Sequence, residues 1–296
     1  MTDSEIWRII IVGLVTLREI LKDTREKHYA VGGFNMNSYE DSYGMIMGAA
    51  RKNSPIIIMT SMACVKYVGL KALVGMIRGM ADTFNIPVCL HLDHATDLDL
   101  IKACVGAGYT SVMIDASKKE YEENIAITKS VVEYAHTYGC SVEAELGKLG
   151  GREENVVVDD ADKAYTNPED VPRFVEETGI DALAVAIGTA HGFYKAEPKI
   201  DFPRLEAITK ITNCPLVLHG GTGVPEEDFR RCVNMGMSKI NVGTQLKKDY
   251  TDALRKALKE NPETEYDPRP FMRPVKEACA QAIMAKIDIF GSEGMA

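Results

Sequence analysis

Residues 87–117 read PVCLHLDHATDLDLIKACVGAGYTSVMIDAS and contain a complete strand–helix–strand unit. The short apolar runs at 87–92 and 111–115 predict two buried strands, and the stretch 97–107 between them has a helical pattern. Strands that are apolar on both faces are typical of parallel sheets covered by helices. We therefore predict a βαβ unit in this segment, with both strands in the same sheet.

The same alternation extends in both directions from this unit. Apolar runs typical of strands occur at 29–35, 55–60, 87–92, 111–115, 141–146, 182–187, 215–219 and 239–242. Helix-like stretches lie at 39–52, 65–84, 97–107, 120–138, 168–177, 202–212, 226–235 and 246–260. Eight such units in 296 residues favour an α/β fold with one closed TIM (β/α)8 barrel, which typically takes about 250 residues. An open doubly wound sheet is the alternative.

Residues 14–296 are expected to form this single barrel domain, after an N-terminal extension at residues 1–13. The first helix is expected to start within 15–21, and a last amphipathic helix lies at 274–290. A long polar loop at 147–170 follows the fifth strand. Loops of that length are uncommon in compact domains unless they are lids or binding loops, so we expect this one to cover a site.

Composition excludes several classes of protein. The chain is 46% hydrophobic and 26% charged, as in globular proteins, and its net charge of -9 argues against nucleic acid or an anionic membrane as a partner. The apolar run at 9–15 is far shorter than the roughly 20 residues that a membrane span needs. Seven cysteines, with no C-x-x-C pair, indicate reduced core residues of a cytoplasmic protein.

Polar side chains interrupt the apolar strands near their C-terminal ends, which converge on one face in a barrel. Three of these side chains are the histidines His94, His191 and His219, on three different strand ends. Each histidine alone is more often structural, but together they fit a catalytic zinc site, which uses three protein ligands and keeps one position open. His91 is either a further residue around that site or a buried structural histidine.

Two glycine-rich loops follow the seventh and eighth strands, where barrels commonly bind phosphate. They are Gly220-Gly221-Thr222-Gly223 and Asn241-Val242-Gly243-Thr244. Glycines let the backbone approach a phosphate, and amide N–H groups and threonine hydroxyls bind its oxygens. Glycine also serves ordinary tight turns, but two such loops in the two expected places predict a phosphorylated substrate.

Acidic residues and one lysine leave several roles open. Asp93 adjoins a predicted metal ligand and could move a proton there, or only orient that ligand. Glu143 and Glu145 form either a polar pair in the core or a second cation site. Lys239 shares a strand face with Asn241 and is the candidate for a rival Schiff-base mechanism, although that chemistry would not need three histidines.

Together these motifs resemble the class II, metal-dependent ketose-bisphosphate aldolases, from about Leu14 to the C-terminus. The motifs are GGFNMNS (32–38), LHLDHATD (90–97), SVMIDAS (111–117), VEAELGKLGG (142–151), AVAIGTAHG (184–192), LHGGTGVP (218–225), KINVGT (239–244) and YDPR (266–269). Their order and spacing make the resemblance specific. The residues before Leu14 have no recognised counterpart.

The resemblance implies a role for each matching residue. His94, His191 and His219 would bind the catalytic zinc, with Asp115 and Glu145 at an alternative metal position, and Asp93 would be the catalytic acid/base. Glu153, in the loop after the fifth strand, would move the second proton. The implied substrate-binding residues are Asn35, Ser61, Gly192, Gly220, Gly221, Thr222, Asn241, Val242, Gly243, Thr244 and Arg269.

The resemblance also implies partners. A monovalent cation, Na⁺ or K⁺, would lie near the phosphate, and Arg269 would reach a distal phosphate, in some members across a subunit interface, which predicts a homodimer or homotetramer. Arg152 stands where the family often has an acid, so Glu153 and Glu154 both remain candidates for the loop acid/base. Fructose 1,6-bisphosphate is the expected substrate, with tagatose 1,6-bisphosphate and a non-catalytic phosphosugar-binding barrel as alternatives.

Overall fold

The computed structural model describes residues 13–148, 150–153, 156–158, 165–192 and 198–296. Residues 1–12 of the predicted N-terminal extension and Glu154 lie outside this part of the chain. For the loop residues 150–153 and 156–158, the description covers the backbone only.

The structure has a closed barrel of eight parallel strands. The strands of the chain are β1 (Gly13–Leu14), β2 (Val31–Asn35), β3 (Ile56–Thr60), β4 (Pro87–Ala95), β5 (Ser111–Ile114), β6 (Ser141–Leu146), β7 (Gly150–Glu153), β8 (Val156–Val158), β9 (Ala182–Val185), β10 (Ala190–His191), β11 (Leu216–Leu218) and β12 (Met237–Val242). The barrel order is β2-β3-β4-β5-β6-β9-β11-β12, and β12 closes it by pairing in parallel with β2. All eight predicted strands and the TIM barrel are confirmed, and the open sheet is excluded.

Helices surround the barrel, most of them on the outside of the sheet and the first across its N-terminal end. They are α1 (Leu17–Leu21), α2 (Tyr39–Arg51), α3 (Met62–Val68), α4 (Leu70–Phe84), α5 (Leu98–Ala107), α6 (Tyr121–His136), α7 (Val171–Thr178, after a 3₁₀ turn at Pro168–Asp170), α8 (Phe202–Ile211), α9 (Glu226–Asn234), α10 (Thr244–Glu260) and α11 (Pro268–Phe290). None of these described helices is long and apolar enough to cross a membrane.

Two predicted helices differ from the structure. The prediction of one helix over 65–84 is wrong, because Gly69 adopts φ 89° and separates α3 from α4. The last helix begins at Pro268, before the predicted residue 274, because Asp267 caps it by accepting a hydrogen bond from the backbone N–H of Arg269. Proline suits a first helical turn, where its missing N–H costs nothing.

The barrel interior changes character along its length. At the N-terminal end, Val31, Cys89 and Val217 point inward and pack with residues of α1, which closes that end of the barrel. Farther along the same strands the inward-facing residues are polar. Side chains alternate along a strand, so every second residue faces the barrel interior. One strand can therefore place apolar residues in the closed N-terminal end of the barrel and reactive residues at its C-terminal end.

The loop after β6 forms a hairpin that the sequence did not predict. Strands β7 and β8 pair antiparallel, with Gly151 opposite Val158. Strand β7 also pairs in parallel with β10, so that Gly151 lies opposite His191. The hairpin that carries Glu153 is therefore joined by backbone pairing to the segment that carries a predicted metal ligand.

Candidate metal centre and active site

The three predicted metal ligands come together at the C-terminal end of the barrel. One ligand nitrogen from each of His94, His191 and His219 lies within 4.8 Å of the others. His94 and His219 are buried and His191 is half-buried. The ring of His94 stands nearly perpendicular to both other rings, at 82° and 88°.

A bulge in β4 explains how two neighbouring residues reach this site. Between the pairs Leu92–Val112 and Ala95–Ile114, β4 contains one residue more than β5. His94 adopts φ 45° at this point, a left-handed conformation that residues other than glycine rarely take. In a regular strand Asp93 and His94 would face opposite sides, so the bulge re-aims His94 toward the interior.

The hydrogen bonds around the histidines fit a metal ion. His94 Nδ1 lies 3.2 Å from Asp115 Oδ2, and His219 Nε2 lies 2.9 Å from Glu143 Oε1. Because carboxylates only accept hydrogen bonds, those ring nitrogens carry the hydrogens. In neutral rings, His94 Nε2 and His219 Nδ1 then each carry a lone pair, and the two nitrogens lie 2.6 Å apart. A shared cation, either a proton or a metal ion, removes the repulsion between them, and imidazole nitrogens suit zinc.

A second group of possible ligands shares His94. It consists of His94, Asp115 and Glu145, which the sequence had assigned to an alternative metal position. Burial opposes ionisation of Asp115, but hydrogen bonds from His94 and Ser117 hold the pKa of this carboxyl below its usual range. Asp115 is therefore a charged acceptor beside the histidine group.

Asp93 lies next to the metal group, held by two amides. Its Oδ2 accepts a hydrogen bond from Asn35 Nδ2 at 2.9 Å, and its Oδ1 accepts one from Asn241 Nδ2 at 3.4 Å. The Oδ1 atoms of both asparagines are buried and have no hydrogen-bond partner among the described residues. Buried polar atoms normally have partners, so these two oxygens are available for the hydroxyls of a bound ligand.

The glycine loops form a cradle beside the histidines. Gly220 adopts φ 70°, and a methyl group there would collide with the backbone of Ala190. A methyl group on Gly221 would lie 2.6 Å from the carbonyl oxygen of Asn241. The cradle opens at Thr244, where helix α10 begins, and helix N-termini attract anions. The residues that line it are Asn35, His191, Gly192, Gly220, Gly221, Thr222, Asn241, Gly243 and Thr244.

Four predicted site residues lie differently from the rest. The side chain of Val242 packs in the apolar core, so only its backbone could face a ligand. The Ser61 hydroxyl caps α3 by accepting a hydrogen bond from the N–H of Cys64. Arg269 is exposed at the start of α11, where it pairs with Asp267 at 2.6 Å. Glu153 ends strand β7, and only its backbone position is described.

A buried ion pair lies deeper in the barrel. Lys239 Nζ is 2.7 Å from Glu143 Oε2, and both side chains are completely buried. Burial would raise the pKa of Glu143, but Lys239 and the histidines His91 and His219 hold it below its usual range. Burial, reinforced by Lys239, lowers the pKa of His91. An ammonium that is paired and closed off from solvent is poorly suited to Schiff-base chemistry, which needs an accessible neutral amine.

A wider pocket beside the cradle was not predicted from the sequence. It has a volume of about 360 Å³, shares Asn35 with the cradle, and lies between α2, α3 and α10. Its lining residues are Asn35, Asn37, Ser38, Asp41, Met45, Tyr67, Leu246, Lys247, Tyr250 and Thr251. The sequence offered one signal for this pocket, the position of Lys247 and Tyr250. Both lie in the first turns of the helix that follows the KINVGT motif.

Comparisons with known proteins identify the family to which the chain is similar. The family described as class-II fructose-bisphosphate aldolase matches residues 15–295. A fructose-bisphosphate aldolase of Geobacillus stearothermophilus is 43% identical over 288 residues, which cover 96% of this chain and 99% of that protein. A fructose-bisphosphate aldolase of Staphylococcus aureus is 43% identical over 286 residues, with the same coverage.

Solved structures show the same likeness. The crystal structure of the YdjI aldolase from Escherichia coli K12 has a TM-score of 0.85 and 34% identity, and the match covers 96% of this chain and 99% of that one. A putative fructose-1,6-biphosphate aldolase from Coccidioides immitis has a TM-score of 0.86 and 30% identity, with coverage of 94% and 97%.

Proposed function

The chain belongs to the class-II fructose-bisphosphate aldolase family, and we propose that it is a zinc-dependent aldolase that reversibly cleaves fructose 1,6-bisphosphate. The products would be dihydroxyacetone phosphate and glyceraldehyde 3-phosphate. One arrangement carries the proposal: the three histidine nitrogens lie within 4.8 Å of one another, His191 lines the glycine cradle, and Asp93 adjoins His94.

The residues present divide the reaction between them. His94, His191 and His219 would hold zinc, which when bound supplies a Lewis acid that stabilises negative charge beside the ketone. Asp93 accepts the proton of the C4 hydroxyl while the C3–C4 bond breaks and its electron pair remains on C3. The two asparagine Oδ1 atoms accept hydrogen bonds from substrate hydroxyls, which fixes the sugar against Asp93.

The cradle and the wider pocket suit the two ends of the substrate. The cradle, with Gly220 and Gly221 and the start of α10, would bind the phosphate of the dihydroxyacetone half, with a monovalent cation (Na⁺ or K⁺) nearby. The wider pocket would receive the aldehyde half of the substrate, because this pocket meets the cradle at Asn35. Arg269 would complete a site in a second copy of the chain, in a homodimer or homotetramer.

The second proton transfer would come from the β7–β8 hairpin. Glu153 would deliver a proton to C3 when the hairpin covers the site and excludes water. Backbone pairing between β7 and β10 supports this role, because it ties the hairpin to the segment that carries His191. Glu154 is the alternative donor. We further propose a cytoplasmic location, with residues 1–13 as an extension outside the catalytic domain.

The substrate and the metal are tested together. Cleavage of fructose 1,6-bisphosphate and tagatose 1,6-bisphosphate is measured with EDTA, without EDTA, and after zinc is added back. We expect activity that EDTA abolishes and zinc restores, with the faster cleavage for the fructose compound. A faster rate with tagatose bisphosphate would reassign the sugar. Zinc binding without cleavage of either sugar would indicate the non-catalytic phosphosugar-binding barrel.

Two substitutions separate metal binding from proton transfer. His191→Ala should lose both zinc and activity, because it removes a ligand. Asp93→Ala should keep zinc and lose activity, because it removes only the proton acceptor. Zinc content by elemental analysis and turnover at saturating substrate are measured on both. An active His191→Ala protein without zinc would refute the proposal.

A further inference from the structure

The buried pair of Glu143 and Lys239 has no assigned part in the reaction, yet it is connected to the metal centre. Glu143 uses both carboxylate oxygens: Oε2 accepts from Lys239 Nζ at 2.7 Å and Oε1 accepts from His219 Nε2 at 2.9 Å. On the other side, Lys239 Nζ lies 3.5 Å from His91 Nε2, and His91 Nδ1 lies 2.8 Å from Ser111 Oγ. The chain of contacts thus runs from the barrel core to a metal ligand.

Stability alone does not explain this pair. All three side chains of Glu143, Lys239 and His91 are completely buried. Removing two charges from water costs about as much as their attraction returns, so a buried ion pair adds little net stability compared with apolar residues of similar size. Its position under the histidines therefore suggests that it serves the site above it.

The geometry shows what the pair does to His219. An ionised carboxylate cannot donate a hydrogen bond, so the hydrogen of the His219 ring must lie on Nε2, facing Glu143. That leaves the lone pair on Nδ1, on the side of the predicted metal ligands. His219 Nδ1 lies 2.6 Å from His94 Nε2. Lys239 Nζ donates to the other carboxylate oxygen, Oε2, at 2.7 Å, which leaves Oε1 to accept from His219.

We propose that Glu143 and Lys239 are positioning residues of the metal centre, and that the hydrogen bond from His219 to Glu143 sets the tautomer and the ring orientation that zinc requires. This inference rests on the proposed zinc-dependent function. Both side chains are completely buried and Glu143 contacts His219, so both act through His219 and not on the substrate.

Paired substitutions avoid leaving one buried charge alone. The first double variant, Glu143→Leu with Lys239→Met, removes the ion pair and the hydrogen bond to His219. The second, Glu143→Gln with Lys239→Met, removes the charges but leaves an amide oxygen that can accept from His219 Nε2. Asp181→Asn is the control, because Asp181 is another buried carboxylate, bonded to Arg18 and His136, that lies just before β9 at the opposite end of the barrel.

Zinc affinity is measured by competition with a chelator, and ligand geometry by the visible absorption of the cobalt-substituted proteins. We expect the Leu/Met variant to bind zinc about 10–100-fold more weakly than the natural chain, with an altered cobalt spectrum. The zinc affinity of the Gln/Met variant should lie between those of the Leu/Met variant and the natural chain. Asp181→Asn should lower the unfolding temperature without changing zinc affinity.

Three outcomes would overturn the inference. The Leu/Met variant could bind zinc as tightly as the natural chain, the Gln/Met variant could be no better than Leu/Met, or Asp181→Asn could weaken zinc binding equally. Failure of the proposed function looks different, because the natural chain itself would then bind no zinc or cleave no sugar bisphosphate.

Discussion

The substitution Gly220→Ala tests whether the phosphate cradle depends on close backbone contact. Gly220 has φ 70°, and an added Cβ would lie 2.7 Å from the carbonyl carbon and 3.0 Å from the nitrogen of Ala190. Gly139, on the turn after α6, has nearly the same φ of 68°, but an added Cβ would meet nothing within 4 Å. The two sites share the backbone conformation and differ in the contact.

The difference between the two glycines gives the expected magnitudes. A left-handed conformation costs an alanine about 1–2 kcal/mol, so Gly139→Ala should lower the free energy of unfolding by that amount. Overpacking against a fixed backbone adds about 1–3 kcal/mol, so Gly220→Ala should lose about 2–5 kcal/mol in total. Ala190 adjoins His191, so the displaced backbone should also weaken zinc binding.

Urea denaturation measures the free energy of unfolding for both variants, and steady-state kinetics measures KM for fructose 1,6-bisphosphate. We expect KM to rise about tenfold in Gly220→Ala if the cradle loses about 1.4 kcal/mol of phosphate binding, and to stay unchanged in Gly139→Ala. Equal losses of stability in both variants, or an unchanged KM in Gly220→Ala, would show that the Ala190 backbone does not confine Gly220.

Three further predictions concern the rest of the chain. Burial raises the pKa of Cys89 to about 12, and every cysteine is a buried free thiol. A thiol reagent at pH 8 should therefore label the native protein hardly at all, and should label seven thiols after denaturation in urea. Phe174→Ala should lower the free energy of unfolding by about 3–5 kcal/mol, because the ring is fully buried, yet leave KM unchanged, because it lies outside the site; urea denaturation and kinetics check both. The Arg51 guanidinium lowers the pKa of Glu277 from 4.5 to about 2, so the stability from this pair is present above pH 4.5 and lost as the pH falls toward 2. The pair is exposed, so the loss should stay below about 1 kcal/mol, and Glu277→Gln should remove it from the pH dependence of unfolding; an unaltered pH profile would contradict the pairing.

Most of the barrel could be predicted because its strands are buried on both faces. The apolar runs at 141–146 and 111–115 nearly coincide with strands β6 and β5. Polar side chains near the ends of such runs stand out, so His191 and His219 could be named as candidate site residues from the sequence alone. The strand ends shifted by up to three residues, because terminal pairing depends on neighbouring strands and not on local composition.

The structure added features that depend on pairing between distant segments. The strands β1, β7, β8 and β10 are too short or too polar to be recognised in a sequence, and they exist because each finds a partner strand. The break at Gly69 depends on the positive φ of this residue. Any glycine can adopt that conformation, but few glycines within a helical pattern do so.

Burial on both faces leaves a local record in the chain, so the periodic core, the barrel and the residue types gathered at one end could be predicted from the amino-acid pattern. How those residues face one another depends on the folded arrangement. The bulge that turns His94 inward, the contact between Glu143 and His219, and the pocket beside Asn35 arise from residues far apart in the chain. Such contacts follow from strand pairing and side-chain packing between distant segments, which no single local pattern of residues specifies.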